Sequence, residues 1–199
     1  MKHYKSVFKN EQDLIKALLE IHIGSETFDV DPMMFKGNFY KEIPKPKYMF
    51  DINPQYDYIV KSNAMSLPLY NESQNSIILD PPFIIANRPS QKEYYSSKTH
   101  TYFENLNELE IMYKGILKES YRILNKNGIC VFKCQDFTDS KTIMTHALVY
   151  NWALEIGFYA KDLAILELPN KIYNGNTKQR HFRKTHTYFW VFKKMKRKK

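Results

Sequence analysis

Asp80-Pro81-Pro82-Phe83 is the segment of this chain best suited to chemistry. Neither proline can donate a backbone hydrogen bond, and together they hold a fixed, extended path. The preceding run, Ser76-Ile77-Ile78-Leu79, is apolar up to Asp80 and suits a strand buried on both faces of a parallel sheet. A Pro-Pro step at the end of such a strand presents carbonyl oxygens and the Asp80 carboxylate to a cleft. Those acceptors can grip an NH2 group, orient its nitrogen lone pair and stabilise the positive charge that develops as the nitrogen attacks. Phe83 adds a flat apolar face for an extruded base, a stacking contact of roughly 1–3 kcal/mol. A strand-ending turn with Phe83 in the core would use the same residue types, so the motif has to be weighed with its neighbours.

Two earlier strand candidates also end in acids. One carries Asp29 and Asp31, and the other is Tyr48-Met49-Phe50-Asp51. About twenty residues separate Asp31 from Asp51, the spacing expected between a phosphate or amino-acid loop and a ribose-binding carboxylate. A carboxylate accepts two hydroxyl hydrogen bonds, matching the two hydroxyls of a ribose.

The elements that would position these acids follow from periodicity. Residues 11–22 place Leu14, Ala17, Leu18 and Ile21 at helical spacing, and 107–124 do the same with Leu109, Met112, Tyr113, Ile116 and Leu117. Asn127-Gly128 predicts a turn into the strand Ile129-Cys130-Val131-Phe132. Residues 140–156 read as a helix stopped by Gly157. Strands near 161–168 and 187–193, with no helix between them, predict an antiparallel hairpin at one edge. Alternating strands and helices predict an α/β domain with a mostly parallel sheet, in which ligands bind beyond the carboxyl ends of the strands.

The 199 residues suit one domain spanning 1–199, and 43% hydrophobic residues describe a globular chain. No apolar run approaches the roughly 20 residues of a membrane span, and the polar start carries no signal-peptide stretch, so a cytoplasmic protein is expected. The C-x3-C pair, Cys130 and Cys134, has no second pair beside it; reduced core thiols are expected there, not a metal site. The formal net charge of +9 suits a polyanionic partner, although an AT-rich coding bias would enrich lysine too. Two segments interleave basic and aromatic residues or cluster bases. Residues 84–106 hold Arg88, Tyr94 and Tyr95. Residues 171–185 hold Lys178, Arg180, Arg183 and Lys184, suited to a phosphate clamp. The basic tail 193–199 reads as solvated, and His181 and His186 as surface or edge-strand histidines.

Together these segments resemble the amino-methyltransferases that carry a (D/N/S)PP(Y/F/W) motif, above all the adenine-N6 and cytosine-N4 DNA methylases. The resemblance covers roughly residues 10–193. Asp31-Pro32-Met33-Met34-Phe35-Lys36-Gly37 resembles the family's cofactor loop, with Gly37 kept and Phe35 in place of the first glycine. Phe50-Asp51-Ile52 resembles the acidic motif that follows, and Ser62-Asn63-Ala64 the segment that contacts the cofactor's adenine, with Asn63 where Asp is usual. The resemblance implies a Rossmann-like class I methyltransferase fold, a mostly parallel seven-stranded sheet with helices on both faces. It implies S-adenosyl-L-methionine as cofactor, held by Asp29, Asp31, Pro32, Gly37, Asp51, Ile52, Asn63 and Ala64. It implies a nucleic-acid substrate, DNA favoured over RNA, methylated at adenine N6 or cytosine N4. No separate target-recognition segment is evident, which leaves room for a specificity partner or a homodimer. An RNA base methyltransferase and a non-catalytic nucleic-acid-binding protein on the same fold are the alternatives. A protein-glutamine methyltransferase fits less well, because that class carries NPPY and this chain is basic.

Overall fold

Alternation with a period of two along Ile129-Cys130-Val131-Phe132 organises the interior, because it sends apolar side chains to both faces of one strand. The computed structural model describes residues 3–86, 89, 92–93, 102–138, 141–169 and 180–195. In chain order its elements are β1 (Val7–Phe8), α1 (Glu11–Leu18), a π-helical turn (Leu19–Ile23), β2 (Val30–Asp31), a 3-10 turn (Asn38–Tyr40), β3 (Tyr48–Asp51), β4 (Val60–Lys61) and β5 (Gln74–Leu79). There follow α2 (Leu106–Ile123), β6 (Leu124–Cys134), β7 (Phe137–Thr138), β8 (Thr142–Ile143), α3 (Thr145–Ile156), β9 (Phe158–Glu167) and β10 (His186–Lys194).

The main sheet runs β1-β9-β10-β6-β5-β2-β3-β4. Every pairing in it is parallel except those of β10 with β9 and with β6. This is the α/β Rossmann-like architecture the sequence implies, with two corrections. Among the described residues the sheet has eight strands, not seven, and the β9/β10 hairpin is not the edge, because β1 pairs with β9 through Val7↔Ile165 and Phe8↔Leu166. A two-residue strand is too short to show any period, so nothing in the sequence marks it. The segment read as a helix from 140 instead makes a small β7/β8 hairpin first, and α3 begins at Thr145. Its end is where expected: Gly157 takes φ 113° and donates to the carbonyls of Ala153 and Leu154.

The sheet has an apolar core on each face. On one side α2 and α3 bring Leu109, Tyr113, Ile116 and Trp152 against Ile77, Leu79, Cys130 and Phe132. On the other, α1 brings Leu14, Ile15 and Leu18 against Ile78, Val131, Phe189 and Val191. Each fully buried Leu, Ile or Phe stabilises the fold by about 1.5–3 kcal/mol. Cys130 and Cys134 are buried thiols on the α2 side, and burial pushes both well above the ordinary thiol pKa. Asparagines start two helices. The Asn10 side chain accepts from the N–H groups of Gln12 and Asp13, and that of Asn105 from Glu108. Among the described residues no helix is long and apolar enough to cross a membrane.

The β5–β6 register aligns two strand ends at the carboxyl edge of the sheet. Leu79 lies beside Phe132, so the next residues, Asp80 and Lys133, leave the parallel ladder as neighbours.

Candidate active site

The carboxyl ends of β2, β3 and β5 open into one cleft of about 1360 Å³. Asp31, Pro32, Asp51, Ile52, Asn63, Ala64 and the whole Asp80-Pro81-Pro82-Phe83 segment line it, so the topology gathers residues spread over fifty positions of sequence. Arg183 and Lys184 stand on its wall. Three expected residues do not. Asp29 has its carboxylate turned to the backbone N–H groups of Asn75 and Ser76, at 2.6 and 3.3 Å, where it ties the start of β2 to the start of β5. Gly37 shapes the loop from outside the cleft, at φ 68°, with its N–H on the Met34 carbonyl at 2.7 Å. Arg180 is exposed and away from the lining. Arg88, Tyr94, Tyr95 and Lys178 lie outside the described residues.

The loop after β2 is held by acids. Asp31 accepts from the Met33 N–H and the Tyr40 hydroxyl, each at 2.9 Å. Burial pushes its carboxyl up to about 7, with the charges of Asp80 and Asp51 adding to the effect. Asp51 accepts from the N–H of Phe35 through Oδ2 and from that of Asn53 through Oδ1, each at 2.8 Å. Each of its oxygens keeps a second lone pair for a ligand. Phe35, where the resembling loop has glycine, adopts φ 43°. That left-handed backbone costs a non-glycine residue about 1–2 kcal/mol, and the bond to Asp51 holds it there. Its ring is 39% exposed, within the cleft lining. Farther along, the Asn63 side-chain oxygen accepts from Met65 N–H at 2.9 Å. The chain beyond is fastened to α2, where Glu119 accepts from Leu67 N–H and Arg122 donates to the carbonyls of Leu67 and Leu69.

At the end of β5, Tyr113 from α2 donates its hydroxyl to the Pro82 carbonyl at 2.9 Å. Asp80 Oδ2 accepts from Lys133 Nζ at 3.1 Å. Burial raises the Asp80 carboxyl above the usual range, and Lys133 pulls it back. After Phe83 the chain is clamped. Ala86 N–H donates to the Phe103 carbonyl and Phe103 N–H to the Ile84 carbonyl, both at 2.8 Å, so the two ends of the expected substrate loop meet beside the cleft. Phe39, Met65, Ile111 and Met112 add apolar lining that no motif announced. Nor did any motif announce Lys133, although a charge inside an apolar strand is a signal in itself.

Four carboxylates, Asp31, Asp51, Asp80 and Glu108, line a cleft that also carries Arg183 and Lys184 and is otherwise lined largely by apolar side chains. The oxygens of Asp51 can accept hydrogen bonds from ligand hydroxyls.

Parallel strands with this order, and a cleft at their carboxyl ends, define the fold of S-adenosyl-L-methionine-dependent methyltransferases. A SAM-dependent methyltransferase of Thermotoga maritima is similar over 92% of this chain and 87% of its own, with TM-score 0.56 and 16% identity. TrmN of Thermus thermophilus is similar over 92% of this chain and 48% of its own, with TM-score 0.51 and 16% identity. PvuII DNA methyltransferase (cytosine-N4-specific) is similar over 67% and 48%, with TM-score 0.51 and 16% identity. The chain spans about half the length of the DNA methylase structures it matches. No curated protein matches it in sequence. Residues 75–199 match the DNA methylase family, and the chain belongs to that family. The family's methyl donor is S-adenosyl-L-methionine, whose ribose hydroxyls suit a carboxylate acceptor such as Asp51 in the cleft.

Proposed function

We propose that this chain transfers a methyl group from S-adenosyl-L-methionine to an exocyclic amino nitrogen of a DNA base, adenine N6 or cytosine N4. The observation that carries the reading is that Asp80-Pro81-Pro82-Phe83 shares one cleft with Asp31, Asp51 and Asn63. On this reading Asp51 holds the ribose hydroxyls, Ile52 and Ala64 flank the adenine with Asn63, and Asp31 with Pro32 faces the methionine end.

The bound cofactor supplies a methyl group already activated by its sulfonium. The amino nitrogen of a base is a poor nucleophile, because its lone pair is delocalised into the ring. Accepting its N–H bonds on Asp80 and the Pro81 carbonyl draws it toward tetrahedral geometry and frees the lone pair. That pair forms the N–C bond, the S–C pair stays with sulfur, and one N–H proton leaves to water afterwards. Phe83 stacks on the extruded base. Arg183 and Lys184, with Arg180 and Lys178 nearby in sequence, meet phosphates, and the segment with Arg88, Tyr94 and Tyr95 follows the strand.

The test is transfer of a labelled methyl group to duplex DNA, single-stranded DNA and RNA, followed by digestion and identification of the base. Label on N6-methyladenine or N4-methylcytosine from DNA supports the reading. Label confined to RNA, to a ring carbon or to a ribose hydroxyl overturns it.

A further inference from the structure

Lys133 does not line the cleft, yet it is built into it. Its Nζ lies 3.1 Å from Asp80 Oδ2 and 2.9 Å from Glu11 Oε1. It sits over the rings of Phe39 and Phe189, at 5.0 and 5.7 Å from their centroids. The side chain is 14% exposed, and Asp80 is 32% exposed. A buried ammonium is costly unless paired, and here two carboxylates and two aromatic faces compensate it. Burial works against its charge, but Asp80 and Glu11 together hold its pKa above the ordinary lysine value. The β5–β6 register that puts Leu79 beside Phe132 puts Asp80 beside Lys133, so the pairing is set by the sheet.

An acceptor that gathers charge from an amino group must itself be ionised, and Asp80 lies where burial opposes that. We infer that Lys133 is the positioning residue of the reaction: it fixes Asp80 Oδ2, leaves Oδ1 to the amino group and keeps the carboxylate charged, while Glu11 at the start of α1 moderates its pull. This rests on the function proposed above. The charge of Asp80 in turn bears on Asp31 at the end of β2 and on the neutral hydroxyls of Tyr40 in the 3-10 turn and Tyr113 of α2, whose ionisation it opposes.

The test is the pH dependence of kcat for the wild type, Lys133→Met, Lys133→Arg and Glu11→Gln, with DNA and saturating S-adenosyl-L-methionine. Removing the lysine takes away the charge that stabilises ionised Asp80, so the acid limb should move to higher pH. Removing the Glu11 charge should move it the other way. Lys133→Met should lose roughly 10–100-fold in kcat, the loss seen when a partner that orients a metal-ligating side chain is removed, a comparable one-step-removed role. Its cofactor affinity and KM for DNA should hold, and Lys133→Arg should restore the profile. A purely structural lysine would give no opposed shifts. If Lys133→Met does not fold, Glu11→Gln decides: its acid limb should move to lower pH, and an unmoved limb overturns the inference. A Lys133→Met or Glu11→Gln profile that superimposes on the wild type, or profiles that move the same way in these two variants, overturn the inference alone. A wild-type protein that transfers no methyl group overturns the proposed function and this inference with it.

Discussion

The Tyr113 hydroxyl donates to the Pro82 carbonyl at 2.9 Å, so the core of α2 holds the reacting segment by its backbone. Tyr113→Phe should cost about 1 kcal/mol of stability for the lost bond. It should lower kcat more than it lowers affinity for S-adenosyl-L-methionine, because the loosened part is the acceptor and not the cofactor wall. Thermal denaturation and single-turnover methylation, measured on one preparation, check both halves.

Asp80→Ala should reduce kcat on the order of 10²–10³-fold, the scale for removing one charge-stabilising group from a preorganised site. Cofactor titration by calorimetry should be unchanged. Phe83→Ala should instead weaken substrate binding by roughly 1–3 kcal/mol. Full methylation by Asp80→Ala would remove it from the chemistry.

Asp51→Ala should weaken S-adenosyl-L-methionine by about 1.5–3 kcal/mol, the range for hydrogen bonds to a charged group. It should also lower the melting temperature of the ligand-free protein, because the N–H groups of Phe35 and Asn53 lose their acceptor. Calorimetry on a variant shown to be folded separates the two. Undiminished affinity would leave Asp51 only its bracing role.

Asp31 gives a pH dependence with a definite sign. Its carboxyl is pushed up to about 7 in the folded chain, against about 3.9 unfolded. Below the lower value both states are protonated and nothing is lost. As pH rises toward 7 the unfolded chain gives up the proton more readily, so this group's contribution to stability falls, and above 7 it stays low. Asp31→Asn should therefore be more stable than the wild type at pH 8, with the gap closing toward pH 4. Melting curves at the two pH values decide it, and a gap that widens in acid would contradict the assignment.

Nucleic-acid affinity should fall steeply with salt, with a slope of about −0.9 per phosphate contact on duplex DNA or −0.7 on single strands. Replacing Arg183 and Lys184 together by alanine should flatten that slope. A slope that stays the same would take both residues out of phosphate contact.

The parts of the site that are legible in the sequence are those where backbone chemistry restricts the residue. Two prolines after an apolar strand, and acids closing β2 and β3, need only strand direction to be brought together. Asp29 misleads because an acid near a strand end looks the same whether it faces a ligand or caps a neighbouring strand, and only the pairing of β2 with β5 decides. β1 is invisible because two residues carry no period. The β7/β8 hairpin is hidden because Thr142 and Ile143 fit a helical pattern as well as a strand. Lys133 escapes a sequence reading because its value lies in register, a property of two strands that neither shows alone.

The clamp between Ile84–Ala86 and Phe103 brings the chain back to the point where it left. Whatever lies between is closed at its base by hydrogen bonds that do not depend on its own sequence. The position of the Asp80 segment is thereby held from the far side by backbone bonds alone, so substitutions of the Ile84, Ala86 or Phe103 side chains leave the donors and acceptors of the clamp in place.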